Sequence, residues 1–386
     1  LGLAHNFAAS PRNRASVMDY PHPRITLGED GVPHLDGAYG EGIGSWDERA
    51  IRFGYGDFGP AEQEAAALAA FIEDGWQQGY RFISDPDSRA IADMHPEGNL
   101  WDNGADAVAE LERVIAVRRA ALARFGERSI PVGEVYSRLE EVLVPVYFYH
   151  RYQVEAAGKS LGGSDYRYAM RRPGDDFRFA ALPVAQQERA LEALLATLDM
   201  EFLVLPAGVR AKIPPKAYGY ERSRESAAGY TGAQLDPVSL AGASVQHTLD
   251  VLLHPQRLAR LELQYADDPA AVSTADLFAE LFRRLLEPAP VGGLEEAVQQ
   301  RSAAGLLEHW RRLAVTPEAA PEVRARALAA LQESNSWMRE AHPASPGYAD
   351  FYAYQTWLTW RFLEQPGVER DVPARAMPPG SPIGAR

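Results

Sequence analysis

The sequence predicts a mainly α-helical protein that opens with a short α/β segment. From Pro60 onward, apolar residues recur at helical spacing over most of the chain. Before that point the chain is rich in glycine and turn residues and contains one short hairpin pattern. We therefore predict four segments: a short α/β piece of a larger domain at 1–58, a helical region at 59–205, an irregular loop at 206–241 and a second helical region at 242–386.

The α/β segment contains two local patterns. The stretches 24–27 and 32–35 flank the turn residues Gly28-Glu-Asp-Gly31, which predicts a β-hairpin. The run Ser45-Trp-Asp-Glu48 has the form of a helix capping box, so we expect a helix from Trp46 to about Phe53. Asp47 is then a first-turn acid favoured by the helix dipole, and we assign it no catalytic role.

Helical periodicity predicts most of the remaining elements. The expected helices lie at 61–75, 108–125, 133–158, 183–198, 244–253, 274–286, 294–313, 321–340 and 348–364. Pro145 should kink the third of them, because proline removes a backbone donor. Alternating residues predict a strand at Ser164–Arg172, and the tail from Pro366 should be extended. The aromatic stretch Tyr147–Tyr152 suggests either a ligand groove or core packing, of which core packing is the commoner.

Several acidic residues lie between the predicted helices, notably Asp85, Asp87, Asp102 and Asp106. Their spacing does not match the fixed alternating positions of an EF-hand loop, which argues against a calcium site. Aspartates in such stretches commonly form turns and cap helices. We therefore expect a structural duty for these four.

The overall composition argues against several classes of function. The 386 residues include 46 % hydrophobic and 10 % aromatic residues, enough for a packed core. A net charge of −14 argues against nucleic acid as a partner, because phosphate binding needs a basic surface. Cysteine is absent, which excludes disulfides and thiolate metal sites. No apolar run is long enough to form an integral membrane segment.

The functional prediction depends on the first twenty residues. Gly2 precedes His5 by three residues, and Ser16-Val-Met-Asp-Tyr20 follows. This order matches the second half of the metzincin signature, H-E-x-x-H-x-x-G-x-x-H followed by a Met-turn. Glycine lets the chain leave a helix that carries two ligands, so that a third histidine completes a zinc site with one position open for water. Each residue alone has an ordinary structural explanation, and their conjunction in one short segment favours the metal site.

This segment resembles the large bacterial zinc-dependent metalloproteases of the metzincin clan that carry a Met-zincin domain. The resemblance continues at Gly42–Asp47, at Trp101–Asp106 and in the ending from Pro378. It implies that His5 is a ligand of a zinc ion (Zn2+), that Met18 is the structural Met-turn residue and that Tyr20 is a catalytic residue at the transition state. Residues 1–58 would then be the C-terminal subdomain of a metzincin catalytic domain.

The resemblance also implies a mechanism and a setting. Zinc-activated water would hydrolyse bonds of a peptide or protein substrate, with an upstream glutamate as general base. The parent enzyme is expected to be periplasmic or secreted. The first half of the signature, His-Glu-x-x-His, is missing, so we expect this chain to be the C-terminal part of the protease and inactive alone. The oligomeric state stays open.

Two rival functions belong to other classes. A non-catalytic helical interaction or scaffold module would keep the motif only as a vestige, and it would bind partners through Tyr147–Tyr152 or Pro206–Ala241. A carboxylate-pair hydrolase has only the abundance of acidic residues behind it, without a positioned pair. A His-Glu-x-x-His segment encoded upstream of Leu1 would favour the protease over both.

Overall fold

A computed structural model describes residues 2–12, 16–171, 176–365 and 377–378, and these are mainly α-helical. The helices are α1 (Ser45–Tyr55), α2 (Ala61–Gln77), α3 (Ala107–Ala123), α4 (Leu139–Tyr147), α5 (Arg151–Gly158), α6 (Val184–Ala196), α7 (Met200–Leu203), α8 (Ala207–Arg210), α9 (Pro237–Leu252), α10 (Pro255–Asp267), α11 (Thr274–Leu285), α12 (Gly293–Val315), α13 (Pro321–Glu340) and α14 (Pro346–Glu364). Two small antiparallel hairpins pair β1 (Thr26–Leu27) with β2 (Pro33–His34) and β3 (Ser164–Asp165) with β4 (Ala180–Ala181). The predicted fold class, mainly α with a small α/β part, is confirmed.

The chain divides into two compact units. One consists of Leu1–Val117 with Tyr152–Ala190, and the other of Arg118–Arg151 with Leu191–Arg386. The first unit contains both hairpins, α1 and α2, together with the loops that carry the N-terminal motif. The division into four segments made from the sequence stays a prediction.

The second unit is a helical assembly built around α12. This helix packs against α9 and α13, and α13 in turn packs against α14. Trp310 of α12 is only 1 % exposed and lies among the largest fully buried side chains. Helix starts in this unit follow ordinary capping chemistry, since Asp236 accepts from the backbone of Ser239 at 2.9 Å and Ser273 forms a capping box with Asp276.

The single helix predicted over 133–158 is wrong, because the structure has α4 and α5 separated by a break at 148–150. Pro145 lies inside α4 and cannot donate to the carbonyl four residues earlier, and the helix ends two residues later at Tyr147. Tyr147 and Phe148 are fully buried in a cluster with Leu139 and Leu143. Core packing is therefore confirmed as the role of these aromatic residues.

The predicted strand at Ser164–Arg172 is wrong beyond its first two residues, and Arg172 lies outside the described residues. The alternation has another cause, since Tyr166 and Tyr168 both donate their phenol hydroxyls to Asp87. The tail from Pro366 also lies outside the described residues, except for 377–378.

Helix α10 has no counterpart in the sequence prediction. The sequence did contain a helix signal here, since Pro255 is at the first helical position and Leu258, Leu261 and Tyr265 are at helical spacing. Within the described ranges, no helix combines the length and the apolarity that crossing a bilayer requires.

Candidate active site around His5

The loop that carries His5 is fixed by its neighbour, Asn6. The Asn6 side chain is fully buried, donates to the carbonyl of Arg81 at 2.8 Å and accepts from the amide of Ile83 at 3.1 Å. The backbone continues the pairing, since the Phe7 amide donates to the Ile83 carbonyl at 2.8 Å. The sequence analysis did not single out Asn6. Its three-residue register with 81–83 holds the His5 loop without forming a regular sheet.

The imidazole of His5 has a partner at each ring nitrogen. Nδ1 lies 2.9 Å from Oδ2 of Asp85, and Nε2 lies 2.7 Å from the phenol oxygen of Tyr20. The ring is partly exposed and contacts the rings of Phe7 and Tyr20 at centroid distances of 5.4 and 4.9 Å. The structure thus brings together two of the residues singled out in the sequence, His5 and Tyr20, and adds Asp85.

Asp85 is ionised, and this determines the protons on His5. The Arg89 guanidinium, followed by His5, lowers the pKa of the Asp85 carboxyl to about 2. An ionised carboxylate only accepts hydrogen bonds, so Nδ1 of His5 carries the proton that it donates to Asp85. In the neutral imidazole the lone pair then lies on Nε2, where it accepts from the hydroxyl of Tyr20.

The turn that contains Met18 is held by Asp47, which sequence analysis treated only as a first-turn acid. Asp47 is buried, accepts from the Ser16 hydroxyl at 2.6 Å and accepts from the Val17 amide at 3.0 Å. The Ser16 oxygen in turn accepts from the Met18 amide at 2.8 Å. The Met18 carbonyl accepts from the amide of Asn6, which joins this turn to the His5 loop. The S-x-x-E pattern placed Asp47 at the start of α1 but did not indicate its contacts with Ser16 and Val17.

Tyr20 lies against Trp101. The two rings stack at a centroid distance of 5.3 Å with 16° between their planes, and the Trp101 amide donates to the Tyr20 carbonyl at 3.2 Å. Among the described residues other than glycine, only these two have positive φ, 57° for Tyr20 and 62° for Trp101. Such backbone conformations are costly for residues with a Cβ, and they occur often at functional sites.

A buried group of acids lies directly beside this stacked pair. The Ser10 hydroxyl is 2.9 Å from a carboxylate oxygen of Asp19 and 2.8 Å from one of Asp102. A hydroxyl has one proton and can donate to only one of them, so the other short contact requires a proton on a carboxyl group. Burial raises the pKa of Asp102 to about 7 and that of Asp19 well above its ordinary value.

The acids singled out between the predicted helices have different roles. Asp106 accepts from the amides of Val108 and Ala109 at the start of α3, so the expected capping duty is confirmed there. For Asp85 and Asp102 the expectation was incomplete, because one binds the His5 imidazole and the other binds Ser10 in the interior. His5 and Ser10 are 80 and 92 residues away from Asp85 and Asp102 in the sequence, too far for a local pattern to indicate either pair.

The described residues supply a single candidate zinc ligand. No three His, Asp or Glu side chains within them are grouped so that they could hold a metal ion. The chemistry of His5 nevertheless fits a zinc ligand, because metal-binding histidines commonly donate their other nitrogen to a carboxylate, as His5 does to Asp85. The residues present thus fit one ligand of a zinc site and not the complete set.

Comparison with known proteins gives one match. A family model described as Met-zincin matches residues 1–291. No curated protein and no solved structure matches the chain. The matched range includes the His5 loop, the Met18 turn, Trp101 and the buried acids.

Proposed function

The chain belongs to the Met-zincin family, and on this premise we propose that it is the C-terminal part of a zinc-dependent metalloendopeptidase that cleaves peptide bonds. In this proposal His5 is one of the zinc ligands, Met18 is the Met-turn residue and Tyr20 is a catalytic residue. The proposed setting is periplasmic or secreted, as for the parent enzyme, with a peptide or protein as substrate.

One observation carries the proposal. The bond from Nδ1 of His5 to Asp85 leaves the lone pair of Nε2 directed away from the carboxylate, and the phenol of Tyr20 lies 2.7 Å from that nitrogen. A neutral imidazole with one nitrogen fixed in this way is prepared to bind a metal through the other.

The remaining parts of the site are proposed to come from a His-Glu-x-x-His segment. No histidine of this sequence is followed by glutamate, and the described residues include no group of three ligands. One histidine does not hold zinc tightly. We therefore expect the 386 residues alone to bind zinc weakly and to lack peptidase activity.

Each residue of the chain has a defined task in this proposal. A bound zinc ion supplies Lewis acidity and a water molecule that deprotonates near neutral pH. His5 would hold the ion through Nε2, in place of the hydrogen bond from Tyr20, and Asp85 would keep the proton on Nδ1 and the ring in place. Tyr20 can donate its phenol proton to an oxyanion that develops beside His5, which is the kind of stabilisation that matters most in acyl transfer. Phe7 packs against both rings and supports their positions.

The test uses the protein that joins this chain to the His-Glu-x-x-His segment. We expect His5→Ala to abolish bound zinc and peptidase activity, and Tyr20→Phe to keep zinc while lowering kcat. His34→Ala is the matched control, since His34 is a half-exposed histidine on strand β2 of the same unit. Full zinc content and activity in His5→Ala would overturn the proposal.

The second candidate is the non-catalytic interaction module. It is favoured by one observation, an open cavity of about 280 Å³ in the second unit under the irregular loop. Its polar lining includes Glu140, Lys216 and Arg222. In the other stretch considered for this function, Tyr147–Tyr152, the side chains of Tyr147 and Phe148 are buried. Under this alternative, His5→Ala would leave every activity of the protein unchanged.

A further inference from the structure

The stacked pair of Tyr20 and Trp101 combines two unfavourable backbone conformations in one contact. Both residues have left-handed φ values, and their rings are nearly parallel. Both side chains are partly exposed. A left-handed φ is costly for any residue with a Cβ, so specific contacts must hold the pair in this conformation.

The surroundings hold both residues in this conformation from several sides. Gln153 is fully buried and donates to the Trp101 carbonyl at 2.9 Å. Asp19 precedes Tyr20, Asp102 follows Trp101, and both acids contact the hydroxyl of Ser10. Hydrogen bonds therefore hold the backbone at or directly beside each of the two residues with left-handed φ.

Two neighbouring rings restrict the orientation of the Tyr20 side chain. Trp101 covers one face of the ring, and Phe7 meets it edge-on at a centroid distance of 5.9 Å with 66° between the planes. The remaining direction leads to His5, whose Nε2 lies 2.7 Å from the phenol oxygen. Loss of the indole would free the ring to rotate away from the imidazole.

We propose that Trp101 is a positioning residue that holds the phenol of Tyr20 at Nε2 of His5. The proposal rests on the proposed function for its catalytic meaning, since the phenol lies beside a reacting group only if His5 binds zinc through Nε2 in place of this hydrogen bond. The contact itself is a property of the chain and is measurable without zinc. Trp101 acts through Tyr20 and needs no contact with substrate.

The test compares two substitutions at Trp101 in the metal-free chain. Trp101→Phe keeps an aromatic face against Tyr20, whereas Trp101→Gly tolerates the left-handed backbone and removes the ring. The readout is the ¹⁵N resonance of Nε2 in labelled histidine. Among nine histidines, the His5 signal is the one lost in His5→Gln. Tyr20→Phe lacks the hydroxyl, so its spectrum gives the reference chemical shift of Nε2 without the hydrogen bond from Tyr20.

We expect the His5 resonance of Trp101→Phe to stay at the wild-type position and that of Trp101→Gly to move to the Tyr20→Phe position. Trp76→Ala is the control, because Trp76 is another half-buried tryptophan of the same unit. If Trp101→Gly unfolds, Trp101→Asn replaces it, since asparagine also accepts left-handed φ. A wild-type His5 signal in a folded variant without the indole would overturn the proposal.

The same variants separate this inference from the proposed function. In the zinc-loaded protein with the His-Glu-x-x-His segment, Trp101→Gly should lower kcat about as much as Tyr20→Phe, with KM unchanged and zinc content intact. If Trp101→Gly shifts the His5 resonance while His5→Ala keeps full zinc content and peptidase activity, the protease proposal fails and the positioning role stands.

Discussion

His5 and Asp85 are separated by 80 residues in the sequence, yet Nδ1 of the imidazole and Oδ2 of the carboxylate lie 2.9 Å apart. Arg89 forms an ion pair with the same carboxylate and helps to keep it ionised. This contact fixes which nitrogen of His5 carries the proton, and it fixes the plane of the ring. Asp85 therefore determines the geometry of the proposed ligand without itself reaching the metal position.

The first prediction concerns Asp85→Asn in the zinc-loaded protein. We expect zinc affinity to fall roughly 10- to 100-fold, because the amide cannot hold the Nδ1 proton as a carboxylate does. Competition with a chelator of known affinity measures the change. Asp36→Asn is the control, since its side chain is fully exposed near a different histidine. Equal affinities for the two variants would contradict the role assigned to Asp85.

The second prediction concerns the buried acids Asp19 and Asp102. The folded-state pKa of Asp102 is raised to about 7 by burial, whereas an unfolded aspartate titrates near pH ~4. Between these values the folded protein binds more protons than the unfolded chain, so its stability falls as the pH rises, by at most ~1.4 kcal/mol per pH unit for one proton. Below this window the carboxyl is protonated in both states and the loss is absent.

Asp102→Asn tests this, because asparagine resembles the protonated acid and does not ionise. We expect urea unfolding midpoints measured at pH 5 and pH 8 to differ less for Asp102→Asn than for the wild type. Asp106→Asn changes a helix cap whose pKa is lowered, mainly by its bond to Arg189 against the effect of burial, and it serves as the control. The same pH difference in the wild type and in Asp102→Asn would show that no proton is retained there.

The third prediction concerns Asp47, which holds the turn before Met18. Asp47→Ala leaves the Ser16 hydroxyl and the Val17 amide without their acceptor, and we expect a loss of about 2–4 kcal/mol in the free energy of unfolding. Chemical denaturation followed by circular dichroism measures it. Glu48→Ala changes the next residue of the same helical turn, which is exposed, and should cost under ~1 kcal/mol. Similar losses in both would mean that Asp47 is only a first-turn acid.

The fourth prediction reverses the usual order of alanine and glycine. A residue with a Cβ pays roughly 1–2 kcal/mol for a left-handed backbone. Trp101→Gly should therefore be more stable than Trp101→Ala by about 1 kcal/mol, because both lose the indole and only glycine loses the strain. Unfolding midpoints of the two variants give the difference. A more stable alanine variant would show that the φ of 62° is not the conformation in solution.

Local patterns in the sequence predicted those parts of the structure that local forces determine. The helix at Pro321–Glu340 begins with a proline at its first position and has the predicted bounds, and the β1–β2 hairpin follows from its glycine turn. The break between α4 and α5 was underestimated, because Pro145 indicated a kink and tertiary packing of the following aromatic residues decided the rest.

The candidate site was predictable only where its residues are close in sequence. His5, Met18 and Tyr20 lie within one short motif, and the structure places His5 and Tyr20 in contact. Asp85 and Trp101 come from separate loops, and a single sequence contains no signal that pairs a histidine with an acid 80 residues away. The left-handed conformation of Trp101 was equally hidden, since tryptophan has no preference for it.

The order in which the chain visits its two compact units has a consequence for its synthesis. The chain crosses from one unit to the other after Val117, Arg151 and Ala190. Helix α4 emerges early, but its core partners Leu205, Val209 and Leu240 are translated many residues later. The apolar face of α4 is therefore synthesised well before its partners, and transiently exposed apolar surface of this kind is prone to aggregation. No single peptide-bond cleavage yields both units whole, so expression of either half alone would leave a core incomplete.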